Sequence, residues 1–274
     1  MIACELPAQR GVPLSRFSLS DLKKEVEQSP LISSISTATI WRILTQDAIR
    51  PWYHRSWVFP RDPLFLEKAL PVLDLYQGLW QGQPLPEGVF VLCADEKTQL
   101  QALKRSHPSR PPKPGALMQV EYEYSRGGTV AYLAALDVFS GQVLGRVEPT
   151  SGIEPFSRLV DQVMTQKPYA CAARVFWVVD NGSSHHPSTF PARLREAYPN
   201  AEAVHLPKHA SWLNQIELYF SILQRKALTP KEFEDLEALI QRLLAFQERY
   251  NRTARPFHWK FTREDMEERL RLAA

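Results

Sequence analysis

Two short unbroken apolar runs in this chain each end on an aspartate. Residues 175–179 have the length and the β-branched content of a buried strand and lead into Asp180. The run from Gly88 to Ala94 leads in the same way into Asp95. Open α/β sheets usually bind ligands outside the carboxyl ends of their strands. We therefore expect both aspartates to lie at the edge of a sheet where a ligand binds.

Alternating apolar and polar positions predict further strands. Residues 118–124 and 129–139 alternate around Arg126–Gly–Gly128, which predicts a β-hairpin, and a third strand is expected over residues 142–148. Residues 155–165 have helical periodicity and connect to the Asp180 strand as a parallel crossover. The predicted fold class is α/β, with a mixed sheet flanked by helices.

A third carboxylate lies on a predicted helix. Glu217 comes one turn after Leu213 and three residues before Phe220, so it shares a face with apolar side chains. Taken singly, Asp–Asn–Gly is a common turn signal and a helical glutamate is usually solvated. Taken together, Asp95, Asp180 and Glu217 are suited to hold a pair of hard divalent cations, which stabilise the attacking and leaving oxygens of a phosphoryl displacement.

Two short helices are predicted near the N-terminus, over residues 18–28 and from Ser36 onward, with Ile40, Ile43 and Leu44 on the buried side of the second. A helix pair with a short connection is typical of a helix-turn-helix, although many such pairs never contact DNA. The candidate outward residues of the second helix are Thr37, Thr39 and Arg42.

Two basic segments are further candidates for DNA contact. Residues 50–63 are rich in proline, aromatic and basic side chains, and Arg55 is one candidate phosphate contact. A linker docked on the second domain is an equally good interpretation. Residues 104–114 are too rich in proline for regular structure, and they either follow a DNA backbone or form a solvated loop. Their candidate contacts are Lys104, Arg105, Arg110 and Lys113.

The chain of 274 residues is 44% hydrophobic and carries a net charge of +3, which is compatible with nucleic acid without indicating it. Three widely separated cysteines suggest neither a disulfide framework nor a zinc site. Since no apolar run is long enough to span a membrane, we expect a cytoplasmic protein. The predicted domains are residues 1–62, which bind DNA, and residues 63–274, which carry the acids.

Three motifs resemble the acidic motifs of the mariner superfamily of DDE transposases, in the branch encoded by bacterial insertion sequences. They are Ala94–Asp–Glu–Lys97, Val179–Asp–Asn–Gly–Ser–Ser–His185 and Leu206–Pro–Lys–His–Ala–Ser–Trp–Leu–Asn–Gln–Ile–Glu217. The likeness extends over nearly the whole chain. Members of the family usually carry further residues before the first predicted helix, so we expect the DNA-reading part to be incomplete.

The resemblance implies an RNase H-like catalytic domain behind a helix-turn-helix region. It implies that Asp95, Asp180 and Glu217 bind two Mg²⁺ or Mn²⁺ ions to cut and join double-stranded DNA at transposon ends and target. It also implies a homodimer that acts at the bacterial nucleoid. His185 matches a family histidine and either orients a phosphate or water or stabilises its loop, and Asn214 is expected beside the acids. The alternatives are another RNase H-like nuclease and a transposon-derived DNA-binding protein without catalysis.

Overall fold

The computed structural model of the protein describes residues 2–30, 32–53 and 62–273. The chain divides into an N-terminal unit, Met1–Phe59, and a C-terminal unit, Pro60–Ala274. None of the helices in the described residues is long and apolar enough to cross a membrane.

The N-terminal unit contains two α-helices, α1 (Leu19–Glu27) and α2 (Thr37–Gln46). Ser18 caps α1 in a reciprocal arrangement, because its hydroxyl accepts from the Asp21 amide at 3.2 Å while the Asp21 carboxylate accepts from the Ser18 amide at 3.1 Å. Ser36 caps α2 without that reciprocal bond, because only its hydroxyl accepts, from the Thr39 amide at 3.0 Å. Both predicted helices are present, and polar caps set their beginnings.

The small core of this unit contains Phe17, Leu22, Ile40 and Leu44. The prediction that Ile43 is buried is wrong, since its side chain is 48% exposed. The spacing of four between Ile40 and Leu44 places one stripe of α2 against α1, and Ile43 falls outside that stripe.

The C-terminal unit alternates strands and helices. Its elements are α3 (Phe65–Tyr76), β1 (Leu79–Trp80), β2 (Gln83–Pro84), β3 (Val89–Arg105), β4 (Tyr124–Asp137), β5 (Val143–Glu148), α4 (Ile153–Met164), β6 (Arg174–Val179), α5 (Phe190–Ala197), β7 (Ala201–His205), α6 (Ile216–Lys226), α7 (Leu236–Asn251) and α8 (Arg263–Ala273).

Five strands form one mixed sheet in the order β5-β4-β3-β6-β7. Strands β3, β4 and β5 run antiparallel, whereas β6 pairs parallel with both β3 and β7. Helices α3, α6 and α7 cover one face, and α4 and α5 cover the other, so the apolar central strands are buried on both faces. The predicted α/β class with a mixed sheet flanked by helices is confirmed.

The predicted hairpin around Arg126–Gly–Gly128 is wrong. These residues lie inside β4, which pairs with β3 along most of its length, and residues 118–123 form no strand. Beyond a register shift after Lys97, β3 and β4 continue to Arg105 and Tyr124. The alternation of apolar and polar residues correctly indicated a strand. The two glycines after Arg126 do not end that strand, because backbone pairing with β3 continues through them.

Candidate functional site

The first two acids lie close together, just past the point where the pairing of β3 with β6 ends. Asp95 is in β3 and Asp180 follows the last residue of the parallel strand β6. One oxygen from each carboxylate and one ring nitrogen of His185 all lie within 4.8 Å of one another. The parallel register pairs Cys93 with Val178, so Asp95 and Asp180 each lie two residues beyond that pair, although β3 itself continues to Arg105.

The environments of the two aspartates shift their pKa values in opposite directions. Burial, followed by the negative charge of Asp180, raises the pKa of Asp95 to about 8. Burial also opposes ionisation of Asp180, but hydrogen bonds from His185 and from the amide of Gly182 outweigh it and lower the pKa of Asp180. Asp180 is therefore the ionised member of the pair, and Asp95 retains a proton near neutral pH.

His185 is fully buried and lies between Asp180 and Glu96. Its Nε2 is hydrogen-bonded to Asp180, and its Nδ1 lies 3.1 Å from the Ser184 hydroxyl and 4.0 Å from Glu96. Burial disfavours the imidazolium, yet the Asp180 hydrogen bond and the charges of Glu96 and Asp180 raise the pKa of His185. The direction of this shift favours the protonated ring, a form in which Nε2 donates to Asp180.

Sequence reasoning left Glu96 out of the site because alternate strand side chains point to opposite faces. Glu96 does leave β3 on the opposite face from Asp95, but there it accepts a hydrogen bond from the Ser184 hydroxyl and lies close to His185. Glu96 is thus linked to Asp180 through His185. The adjacency of Asp95 and Glu96 to a downstream Ser–His pair was the signal available in the sequence.

A glycine makes the close approach of His185 to Asp180 possible. A Cβ at Gly182 would lie 2.8 Å from His185 Nε2 and 3.1 Å from Asp180 Oδ1. Its amide also donates to Asp180 Oδ1 at 2.7 Å. Any larger residue at this position would displace the imidazole from the carboxylate.

The third acid, Glu217, lies in the first turn of α6 and is half-buried. Burial raises its pKa, Lys97 opposes that rise, and the charge of Asp180 adds to it. Glu217 is outside the tight group formed by the two aspartates and His185, but it shares an electrostatic field with Asp180. The described residues thus bring two acids together and place the third beside them.

Asn214 ties the helix of Glu217 to the strand of Asp95. The side-chain Nδ2 of Asn214 donates to the carbonyl of Ala94 at 3.0 Å, and the backbone carbonyl of Asn214 accepts from the Glu217 amide at 3.1 Å. Pairing between β3 and β6 ends at Cys93, so the Asn214 amide continues the hydrogen bonding past the end of β6. Within the described part of the chain, the Asn214 Oδ1 atom is buried without a partner.

Ser211 precedes the helix of Glu217 but does not cap it, although serine is a common N-cap residue. Residues Ser211–Leu213 form a separate 3-10 turn, Asn214 is extended, and α6 begins at Ile216. Trp212 does not anchor this helix in the core either, because its side chain is 45% exposed. The side chain of Asn214 has to turn towards β3, and the break in the helix allows it to do so.

Lys97 adds a cation beside Glu217. It follows Asp95 by two positions on the same face of β3, and its Nζ lies 5.9 Å from the centre of the Phe220 ring. Burial lowers the pKa of Lys97, and the charge of Glu217 opposes that change. Sequence reasoning included this residue in a motif but gave it no role.

The residues predicted to contact DNA lie in several places. On α2, Thr37 and Arg42 are exposed, and Thr39 is half-buried with its hydroxyl 2.9 Å from that of Ser36. Arg55 lies outside the described residues.

The predicted basic loop begins later than expected, because Lys104 and Arg105 belong to β3. Lys104, Arg110 and Lys113 are exposed, whereas the Arg105 guanidinium stacks on Tyr124 and donates to the carbonyl of Tyr122 at 2.9 Å. Bridges join Arg110 to Gln119 and Lys113 to Ala116. The segment therefore has more backbone pairing than its proline content indicated.

The sequence of this region matches a known family. The model of the DDE superfamily endonucleases matches residues 90–240, which is more than half of the chain and includes all three acids. The chain belongs to the DDE superfamily of endonucleases. The predicted resemblance to DDE enzymes is thereby confirmed at the level of the family, and the bacterial branch stays a prediction.

The fold of this DDE superfamily member is similar to that of solved mariner structures. The Mos1 mariner paired-end complex with Mn has a TM-score of 0.56 and 13% sequence identity, and the match covers 92% of this chain and 70% of that chain. The Mos1 transposase paired-end complex with left transposon end has a TM-score of 0.53 and 12% identity, and the match covers 89% and 74%. A comparison with curated proteins found no significant match. The predicted RNase H-like fold is confirmed.

Proposed function

We propose that this endonuclease is a DNA transposase of an insertion sequence that cuts and joins DNA at transposon ends. The observation that carries the proposal is the convergence of Asp95 and Asp180 just past the end of the β3–β6 pairing, with Glu217 beside them, inside the region that matches the DDE family. Its fold is also that of the Mos1 transposase complexes. The catalytic residues on this proposal are Asp95, Asp180 and Glu217.

The donor set fits two Mg²⁺ or Mn²⁺ ions, which prefer carboxylate oxygens. The Oδ1 atom of Asp180 accepts from Gly182 and interacts with His185, and the Oδ1 atom of Asp95 accepts from the Glu96 amide at 2.7 Å. Among the described residues, the second carboxylate oxygen of each aspartate makes no hydrogen bond. Both acids thus offer a free oxygen, and a nearby cation would offset the cost of ionising Asp95.

When bound, such ions activate a water molecule and stabilise the charge on the attacking and leaving oxygens of a phosphodiester. The residues of the chain position the three acids. His185 holds the Asp180 carboxylate in one orientation, and Asn214 fixes the start of α6 relative to β3. Glu217 faces the site from the helix, and a covalent protein intermediate is not needed.

Double-stranded DNA is the partner that this activity requires. We propose that the exposed Thr37 and Arg42 of α2, with half-buried Thr39, read DNA, and that Lys104 and its neighbours on the strand extension contact phosphates. The Mos1 structures are paired-end complexes, and by analogy we propose a homodimer that holds two ends. The site of action would then be the bacterial nucleoid.

The test is to incubate the purified protein with Mg²⁺ and the DNA that flanks its own coding region, and then to map cleavage and joining. We expect cuts at the element ends and transfer of the freed 3′-hydroxyl into target DNA. Cleavage without joining would indicate another RNase H-like nuclease. Specific binding without cleavage would indicate a DNA-binding protein that has no catalytic role.

A further inference from the structure

A cavity of about 370 Å³ lies next to the third acid. It is lined by Lys97, Glu217, Phe220, Ser221, Gln224 and Arg225. Lys97 comes from β3, and the other five residues come from the first three turns of α6. The cavity therefore shares Glu217 with the acid site and extends away from it along the helix.

Among the described residues, the charged group of Lys97 has no direct anionic partner. In the described ranges its ammonium group makes no hydrogen bond and no ion pair, although it is half-buried and Glu217 contributes to its electrostatic environment. The ring of Phe220 lies beneath it. A cation that has lost part of its hydration is costly unless an anion or a hydrogen-bond acceptor replaces the water. The position thus favours an anionic ligand.

The rest of the lining suits a phosphate. Gln224 and Ser221 offer neutral donors, and the exposed Arg225 adds a second positive charge at the rim. Lysine binds phosphate as a compact point charge with three donors. Because the cavity borders Glu217, an anion there lies beside whatever phosphodiester occupies the acid site. A neighbouring phosphate of the same DNA strand is an anion and would lie next to the cleaved phosphodiester, so it satisfies both requirements.

We propose that Lys97 binds a backbone phosphate adjacent to the phosphodiester that is cut at the acids, with Arg225 at the rim of the same subsite. This inference rests on the proposed function, since it assigns a position to the DNA strand in that site. It gives Lys97 a substrate-binding role, distinct from simple neutralisation of Glu217.

The experiment uses the full chain and a DNA duplex that carries its cleavage site. Each phosphate flanking the cut is replaced in turn by a neutral methylphosphonate, and KM is measured for the wild type and for Lys97→Met. We expect one flanking position at which the replacement raises the KM of the wild type and has no effect on Lys97→Met. The plot of log affinity against log salt should also become shallower by about 0.9 for Lys97→Met.

Lys97→Arg should retain both the sensitive position and the salt slope, because it keeps the charge. Arg195→Met is the matched control, since Arg195 is exposed on α5 at the opposite face of the sheet and should behave as the wild type. If thermal melting shows that Lys97→Met does not fold, Lys97→Gln takes its place with the same readouts.

An unchanged salt slope with the same sensitive positions in Lys97→Met would overturn the inference. So would a change confined to the Mg²⁺ concentration needed for cleavage, which would assign Lys97 to Glu217 alone. If the wild type cuts no DNA at all, the proposed function is wrong. If the wild type cuts but Lys97→Met keeps every phosphate sensitivity, only this inference is wrong.

Discussion

Replacing Asp95 with asparagine should change how the stability of the metal-free protein depends on pH. Asp95 is 9% exposed, and burial together with the charge of Asp180 raises its pKa from an ordinary 3.8 to about 8. Between these two pH values the folded protein binds one more proton than the unfolded chain. The stability of the wild type should therefore fall as pH rises through this window.

The size of the effect follows from proton linkage. One bound proton corresponds to about 1.4 kcal/mol of unfolding free energy per pH unit. From pH 5 to pH 7, Asp95 alone would lower stability by about 2.7 kcal/mol. Because Asp95 titrates together with Asp180 and His185, the measured decline should be smaller than this upper bound. Asparagine cannot ionise, so the variant should lack this decline.

The assay is urea unfolding in EDTA at pH 5, 6 and 7, with the wild type, Asp95→Asn and Glu87→Gln. Glu87 is an exposed carboxylate, and its variant should follow the wild type. The stability of Asp95→Asn relative to the wild type should increase with pH. Mg²⁺ should reduce the decline in the wild type, because a bound cation favours the ionised carboxylate. A constant difference between the two proteins across this range would refute the placement of Asp95 beside a second ionised acid.

Three further changes test the site and the N-terminal unit. Asp180→Asn should lower Mg²⁺-dependent cleavage by at least about 100-fold while circular dichroism stays unchanged, and a wild-type rate would remove Asp180 from the site. Gly182→Ala should slow cleavage clearly and lower the melting temperature only slightly, since its Cβ would lie 2.8 Å from His185 Nε2. Equal cleavage rates of the variant and the wild type would show that this contact is unimportant. Arg42→Met should weaken binding to the element ends more than to random DNA in a titration, and equal losses would reduce Arg42 to a backbone contact.

Much of the fold was readable from local patterns. The apolar runs before Asp95 and Asp180 are buried central strands, and α1 and α2 begin next to Ser18 and Ser36, where the two helices were predicted to start. Such features depend on neighbours along the chain, so the sequence carries them directly. The hairpin around Arg126 failed because local turn residues were taken to outweigh pairing with a distant strand, and the pairing prevailed.

The candidate site also has features that the sequence indicates and features that depend on the tertiary structure. The sequence by itself determined which carboxylates could act, because two strands and one helix each carry an acid in a setting that is otherwise apolar. Only the tertiary structure decided that Glu96 reaches His185 across the sheet, that Asn214 joins β3 to α6, and that Lys97 lies beside Glu217. These relations connect residues far apart in the chain, and their distances are set by strand pairing and helix packing, which periodicity in one segment does not encode.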